Sequence, residues 1–137
     1  MNNLYFIDTN ILMYAVGSAH PLKQPCIAIL KRISDGDIRA VTDTEVFQEI
    51  AYRYWSQRKW SVAVQVLELY QSLFDDIYPI QKEHLARYYD LLGRHKELSP
   101  RDAIHIAVMK HHGIRHIYTA DKDFSRVSSL QTHFPSS

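Results

Sequence analysis

Apolar positions follow two rhythms along this chain. Leu4-Tyr5-Phe6-Ile7, Ile38-Arg39-Ala40-Val41, Ile77-Tyr78-Pro79-Ile80 and His116-Ile117-Tyr118-Thr119 are short runs, and the first is continuously apolar up to Asp8. Such a run is the mark of a strand buried on both faces, as in a parallel sheet. Between the runs, apolar residues recur at helical spacing. Helices are expected over 9–17, from Pro21 through Ile33, from Thr42 past Tyr54, over 61–74, over 82–95, and from Pro100 to Gly113. Thr42 reads as an N-cap with Glu45 as its capping-box partner, and Ser99-Pro100-Arg101-Asp102 as an N-cap, a proline at N1 and an acid at N3. Residues 130–134 offer a last strand. Strands alternating with helices predict an α/β fold, a central parallel sheet of four to five strands flanked by helices.

The chain has 137 residues, 46% hydrophobic and 23% charged, which suits one soluble globular domain over residues 1–137. Sixteen Lys and Arg face fifteen Asp and Glu, so a strongly basic, non-specific nucleic-acid binder is excluded, whereas a nucleic-acid enzyme with local patches is not. The single cysteine, Cys26, permits neither an intrachain disulfide nor a cysteine-based zinc site and fits a reducing cytoplasm. No apolar stretch approaches the roughly 18 residues of a membrane helix, and no membrane association is expected.

The candidate chemistry is acidic. Asp8 follows the first strand, Asp121 the fourth, Asp102 opens a helix, and Glu49 lies in the helix after the second strand. In open α/β sheets ligands bind beyond the carboxyl ends of the strands. Four carboxylates meeting there repel one another and call for a divalent cation, and a hard oxygen donor set selects Mg2+ or Mn2+. Taken singly, each has a local reading as well: Asp8 and Asp102 as helix caps, Asp121 and Asp123 as turn residues, Glu49 as a solvated helix residue. Glu49 lies nearer the apolar face of its helix than Glu45 does and is the better ligand candidate.

These residues resemble the PIN-domain family of metal-dependent ribonucleases, and its small VapC-type toxins in particular. Leu4-Tyr5-Phe6-Ile7-Asp8-Thr9-Asn10 is similar to the family's opening strand and metal-binding Asp, and the stretch from Val41 to Glu49 to its second block. Leu98-Ser99-Pro100-Arg101-Asp102-Ala103-Ile104-His105-Ile106-Ala107 resembles its most diagnostic block, and Tyr118-Thr119-Ala120-Asp121-Lys122-Asp123-Phe124 its last. The resemblance implies a PIN-like three-layer fold and hydrolysis of RNA phosphodiester bonds with Mg2+, Mn2+ being a substitute. Asp8, Glu49, Asp102 and Asp121 would be the catalytic metal-binding acids, assisted by Asp123. Thr9, Asn10 and Thr119 would hold water or a phosphate oxygen, and Arg101, Lys122 and Arg126 would meet RNA phosphates. It further implies a homodimer and a cognate antitoxin protein. A housekeeping RNA-processing nuclease and a non-catalytic RNA- or protein-binding module are the alternatives.

Two other readings weigh less. A haloacid-dehalogenase phosphatase needs a second Asp two residues after the first, and that position is Asn10. His105, His111 and His112 suggest a histidine site, but a histidine one turn after Asp102 is more often packed or hydrogen-bonded structurally. Tyr52, Tyr54, Trp55 and Trp60 are expected to form core or a protein-binding surface rather than a base-stacking platform.

Overall fold

The computed structural model describes residues 3–136. Strand β1 (Leu4–Ile7) leads through Asp8 into α1 (Thr9–Val16), followed by α2 (Lys23–Ser34), β2 (Arg39–Asp43), α3 (Thr44–Ser56) and α4 (Trp60–Gln71). Then come β3 (Asp76–Tyr78), a 3-10 turn at Lys82–His84, α5 (Leu85–Arg94), α6 (Pro100–His111), β4 (His116–Tyr118) and β5 (Gln131–His133). The strands form one parallel sheet in the order β3-β2-β1-β4-β5, as the alternating pattern predicts.

β1 occupies the centre, and Phe6 and Ile7 are fully buried beside Val41 of β2 and Ile117 of β4. That explains its continuous apolar run, since helices cover both faces of a parallel sheet. The chain leaves β1 toward β2 on one side and returns to β4 on the other. The gap between the carboxyl ends of β1 and β4 is therefore the topological switch point, where such sheets open a crevice.

α6 is enclosed by the core: Ala103, Ile106, Ala107, Val108 and Met109 have no solvent exposure. Its start is as the sequence predicts, with the Ser99 hydroxyl accepting from the Asp102 amide at 3.1 Å and Pro100 in the first turn. Gly113 follows the helix with φ +70°, a conformation open to glycine at no steric cost.

The start of α3 differs from expectation. Thr42 is not an N-cap; it remains in β2, pairs with Ile77, and donates its hydroxyl proton to the Ile7 carbonyl at 3.0 Å. Pairing with β3 carries β2 on to Asp43, and Asp43 caps α3 by accepting from the Val46 amide at 3.1 Å. Glu45 is therefore not a capping-box partner; its carboxylate lies 3.5 Å from the Arg101 guanidinium. The third strand covers 76–78 rather than 77–80, and the helix expected over 82–95 divides into the 3-10 turn and α5. No described helix is long and apolar enough to cross a membrane.

Candidate active site

The switch point is organised around one hydroxyl. Thr119, fully buried just beyond β4, donates to Asp8 Oδ2 at 2.8 Å. The Thr119 hydroxyl oxygen itself accepts from Asn10 Nδ2 at 3.3 Å and from the Asp121 amide at 3.0 Å. Asn10 also donates to Asp8 Oδ2 at 3.2 Å, and its Oδ1 accepts from the Ala120 amide at 2.9 Å. Asp8 Oδ1 accepts from the Thr9 amide at 2.8 Å, so the residue does cap α1. The local and the functional reading of Asp8 thus coexist: the cap fixes one carboxylate oxygen and the crevice holds the other.

The acids sense one another. Burial pushes the Asp8 carboxyl above its ordinary value, the charge of His105 and the hydrogen bonds from Thr119 and Thr9 pull it back, and the Glu49 charge pushes it up again. Asp102 is raised to about 7, first by burial, then by the charge of Asp8 and by the neighbouring Asp121, against a lowering from His105. Asp121 Oδ1 accepts from the Asp123 amide at 2.9 Å, capping the turn that follows. Asp102 thus lies close to both Asp8 and Asp121, and Glu49 close to Asp8, at the switch-point crevice. Asp123 lies at its edge, 44% exposed and 3.5 Å from Arg126, and Lys122 is exposed.

Glu49 is buried on the apolar side of α3, unlike Glu45, as the helical projection predicts. Its Oε2 meets two guanidinium groups, Arg53 at 3.1 Å and Arg101 at 3.3 Å. A nearly dry carboxylate requires such partners.

Below the acids lies a buried ion pair whose acid sequence reasoning missed. Asp43 Oδ2 is 2.7 Å from His105 Nδ1, and both side chains have no solvent exposure. Burial alone would lower the His105 pKa, but the Asp43 carboxylate outweighs it, with Asp8 and Asp102 adding to the effect, and raises it to about 9. Asp43 thus favours the imidazolium form of His105 beneath the acids. Its Nε2 has no hydrogen-bond partner. The structural reading of His105 holds. The one clue to Asp43 was an acid three residues before Val46 at a strand-to-helix junction, which fits an N-cap as well as Thr42 does.

Comparison with known proteins names the family to which this fold belongs. Residues 5–130 match the family model for the PIN domain, and the chain belongs to that family. Within it the chain is 36% identical to Ribonuclease VapC13 of Mycobacterium tuberculosis over 128 residues, 93% of this chain and 98% of the relative. It is 34% identical to Ribonuclease VapC23 of the same species, over 86% of this chain and 93% of the relative. The crystal structure of Mycobacterium tuberculosis VapC20, described as a sarcin-ricin loop cleaving toxin, shares the fold with a TM-score of 0.72 at 22% identity, covering 89% of this chain and 93% of that one.

Proposed function

We propose that this chain is a Mg2+- or Mn2+-dependent endoribonuclease and the toxin of a type II toxin–antitoxin pair. The observation that carries the reading is the gathering of acids at the β1–β4 switch point, where Asp8 feels Glu49 and Asp102 feels both Asp8 and Asp121. Near-full-length identity to VapC ribonucleases sets it within an RNA-cleaving family.

The residues fit a hard divalent cation. The acids at the crevice offer oxygen ligands, and burial together with neighbouring carboxylates raises the carboxyls of Asp8 and Asp102, so a cation there would ease the cost of ionising them. The buried Thr9 hydroxyl beside Asp8 also has no hydrogen-bond partner. Asp8, Glu49, Asp102 and Asp121 would hold the ion, directly or through water, with Asp123 at the rim. When bound, the ion supplies positive charge that activates water and stabilises the leaving oxygen.

The chain does the rest. Thr119 and Asn10 lock the Asp8 carboxylate in one orientation, so it meets its ligand without reorganisation. Asp43 favours the protonated form of His105, whose charge eases the ionisation of Asp8 and Asp102. Arg101 lies at the crevice edge, and with Lys122 it would receive RNA phosphates once Glu49 turns to the ion. Tyr52, Trp55 and Trp60 stand out on α3 and α4, each more than half exposed, while Tyr54 joins the core. That exposed face suits a protein partner, an antitoxin or a second copy of this chain.

The test is cleavage of total cellular RNA by the purified chain. Cleavage with Mn2+ or Mg2+, its loss in EDTA and its loss in Asp8→Asn are expected. Full activity in EDTA would overturn the metal reading. Expression in a bacterium should arrest growth, and a small co-encoded protein should relieve the arrest. Harmless expression of a demonstrably active enzyme would favour RNA processing instead.

A further inference from the structure

A second set of metal-binding side chains lies away from the acids. His84 of the 3-10 turn, and His111 and His112 at the end of α6, bring one ring nitrogen each within 4.8 Å of the others. Asp102 and His111 are nine residues apart on α6, which separates them by about 14 Å along the axis. We propose that His84, His111 and His112 form a site for a borderline transition-metal ion of the Zn2+ class, distinct from the acidic crevice.

Four observations carry it. Three imidazoles and no carboxylate make a donor set suited to Zn2+, Co2+ or Ni2+ and poorly suited to Mg2+. His84 is fully buried, and its Nε2 has no hydrogen-bond partner, an uncommon state for a buried polar atom. Two of the rings are already held: His84 by packing and by accepting from the Gln81 amide at Nδ1, and His112 by stacking on Tyr78 at 3.7 Å with planes 10° apart. His111 is exposed and stands edge-on to both, its ring 4.8 Å from that of His84 and 5.0 Å from that of His112. Finally, the site sits at the carboxyl end of α6, where the helix dipole favours a cation.

Burial and mutual repulsion with His111 also hold His84 and His112 below the ordinary histidine pKa, so their lone pairs are available at neutral pH. One feature opposes binding. With Nδ1 accepting from Gln81, the His84 proton sits on Nε2, where the metal must bind. Binding therefore moves that proton to Nδ1 and turns the exposed Gln81 amide to water, a cost of up to about tenfold in affinity. Three nitrogens at about 2.0–2.1 Å from one ion offset it and tie the 3-10 turn to the end of α6, leaving a fourth position open.

The experiment is a titration of the untagged chain with Co2+, read in the visible spectrum, and with Zn2+, read as a shift in melting temperature. Asp8→Asn/Asp102→Asn disables the acidic crevice, and His111→Ala/His112→Ala removes two exposed rings without opening the core. His111→Ala alone serves if the double variant melts early without metal. The expected result is intense tetrahedral Co2+ bands and a Zn2+-dependent rise in melting temperature in the wild type and the acid variant. The histidine variants should bind at least tenfold more weakly and retain Mg2+-dependent cleavage. His84 ring-nitrogen shifts should report the move of the proton to Nδ1. Intense bands that survive in the histidine variants, or that vanish with the acids, would overturn the site, as would no Zn2+ effect on the wild type.

Discussion

Replacing Asp102 with Asn keeps the side-chain shape and removes its charge from the crevice. In the apo protein the Asp102 pKa rises from 3.8 to about 7, so the folded state resists ionising this group. That difference corresponds to about 4 kcal/mol. The side chain is partly open to solvent, and screening brings this to about 1–2 kcal/mol. A carboxylate in the first turn of α6 gains about 0.3–1 kcal/mol from the helix dipole, which the variant forfeits. The net expectation is that Asp102→Asn is more stable than wild type by about 1 kcal/mol at pH 8, a rise of about 3–5 °C in melting temperature.

The sign follows from linkage. Because the folded pKa lies above the unfolded one, the cost of ionised Asp102 is absent below pH 4, accrues between pH 4 and 7, and is complete above 7. The stabilisation should therefore appear at pH 8 and vanish at pH 4. Mn2+ binding should weaken, and RNA cleavage should fall by about two orders of magnitude or more. Glu45→Gln is the matched control: it breaks a partly exposed contact with Arg101, shifts stability by less than about 1 kcal/mol and leaves cleavage in place. The assay is a pair of melting curves at pH 4 and pH 8, with the cleavage rate of each variant. A variant less stable than wild type at pH 8, or equally shifted at both pH values, would refute the repulsion argument.

Two further perturbations test the scaffold. Asp43→Asn leaves His105 buried without its counter-charge, and urea denaturation should show a loss of about 3–5 kcal/mol; a loss under 1 kcal/mol would mean that the pair is not the buried ion pair described. Tyr70→Phe removes a fully enclosed hydroxyl that donates to the Leu12 carbonyl at 2.7 Å and ties α4 to α1; a loss of about 1–2 kcal/mol with unchanged cleavage is expected by denaturation and RNA assay.

The order of elements, the parallel sheet and the start of α6 were legible in the sequence because each rests on short-range signals. Those signals are a run of apolar residues, a helical period, and a Ser-Pro pair before an acid. Choosing Glu49 over Glu45 needed only the pitch of one helix. The end of β2 was not legible in this way. Thr42 and Asp43 are both acceptable caps, and the choice was made by hydrogen bonds to β3, whose residues lie more than thirty positions on. The Asp43–His105 pair spans 62 residues, and nothing local marks either side chain as charged in the core. The hub at Thr119 is likewise built from β1 and β4, which are 109 to 111 residues apart from hydroxyl to Asn10 and Asp8. Periodicity and caps are properties of neighbouring residues, so the chain displays them before it folds. Burial, and with it the pKa of Asp102 and the charge on His105, depends on what the rest of the fold brings alongside, and only the tertiary structure decides that.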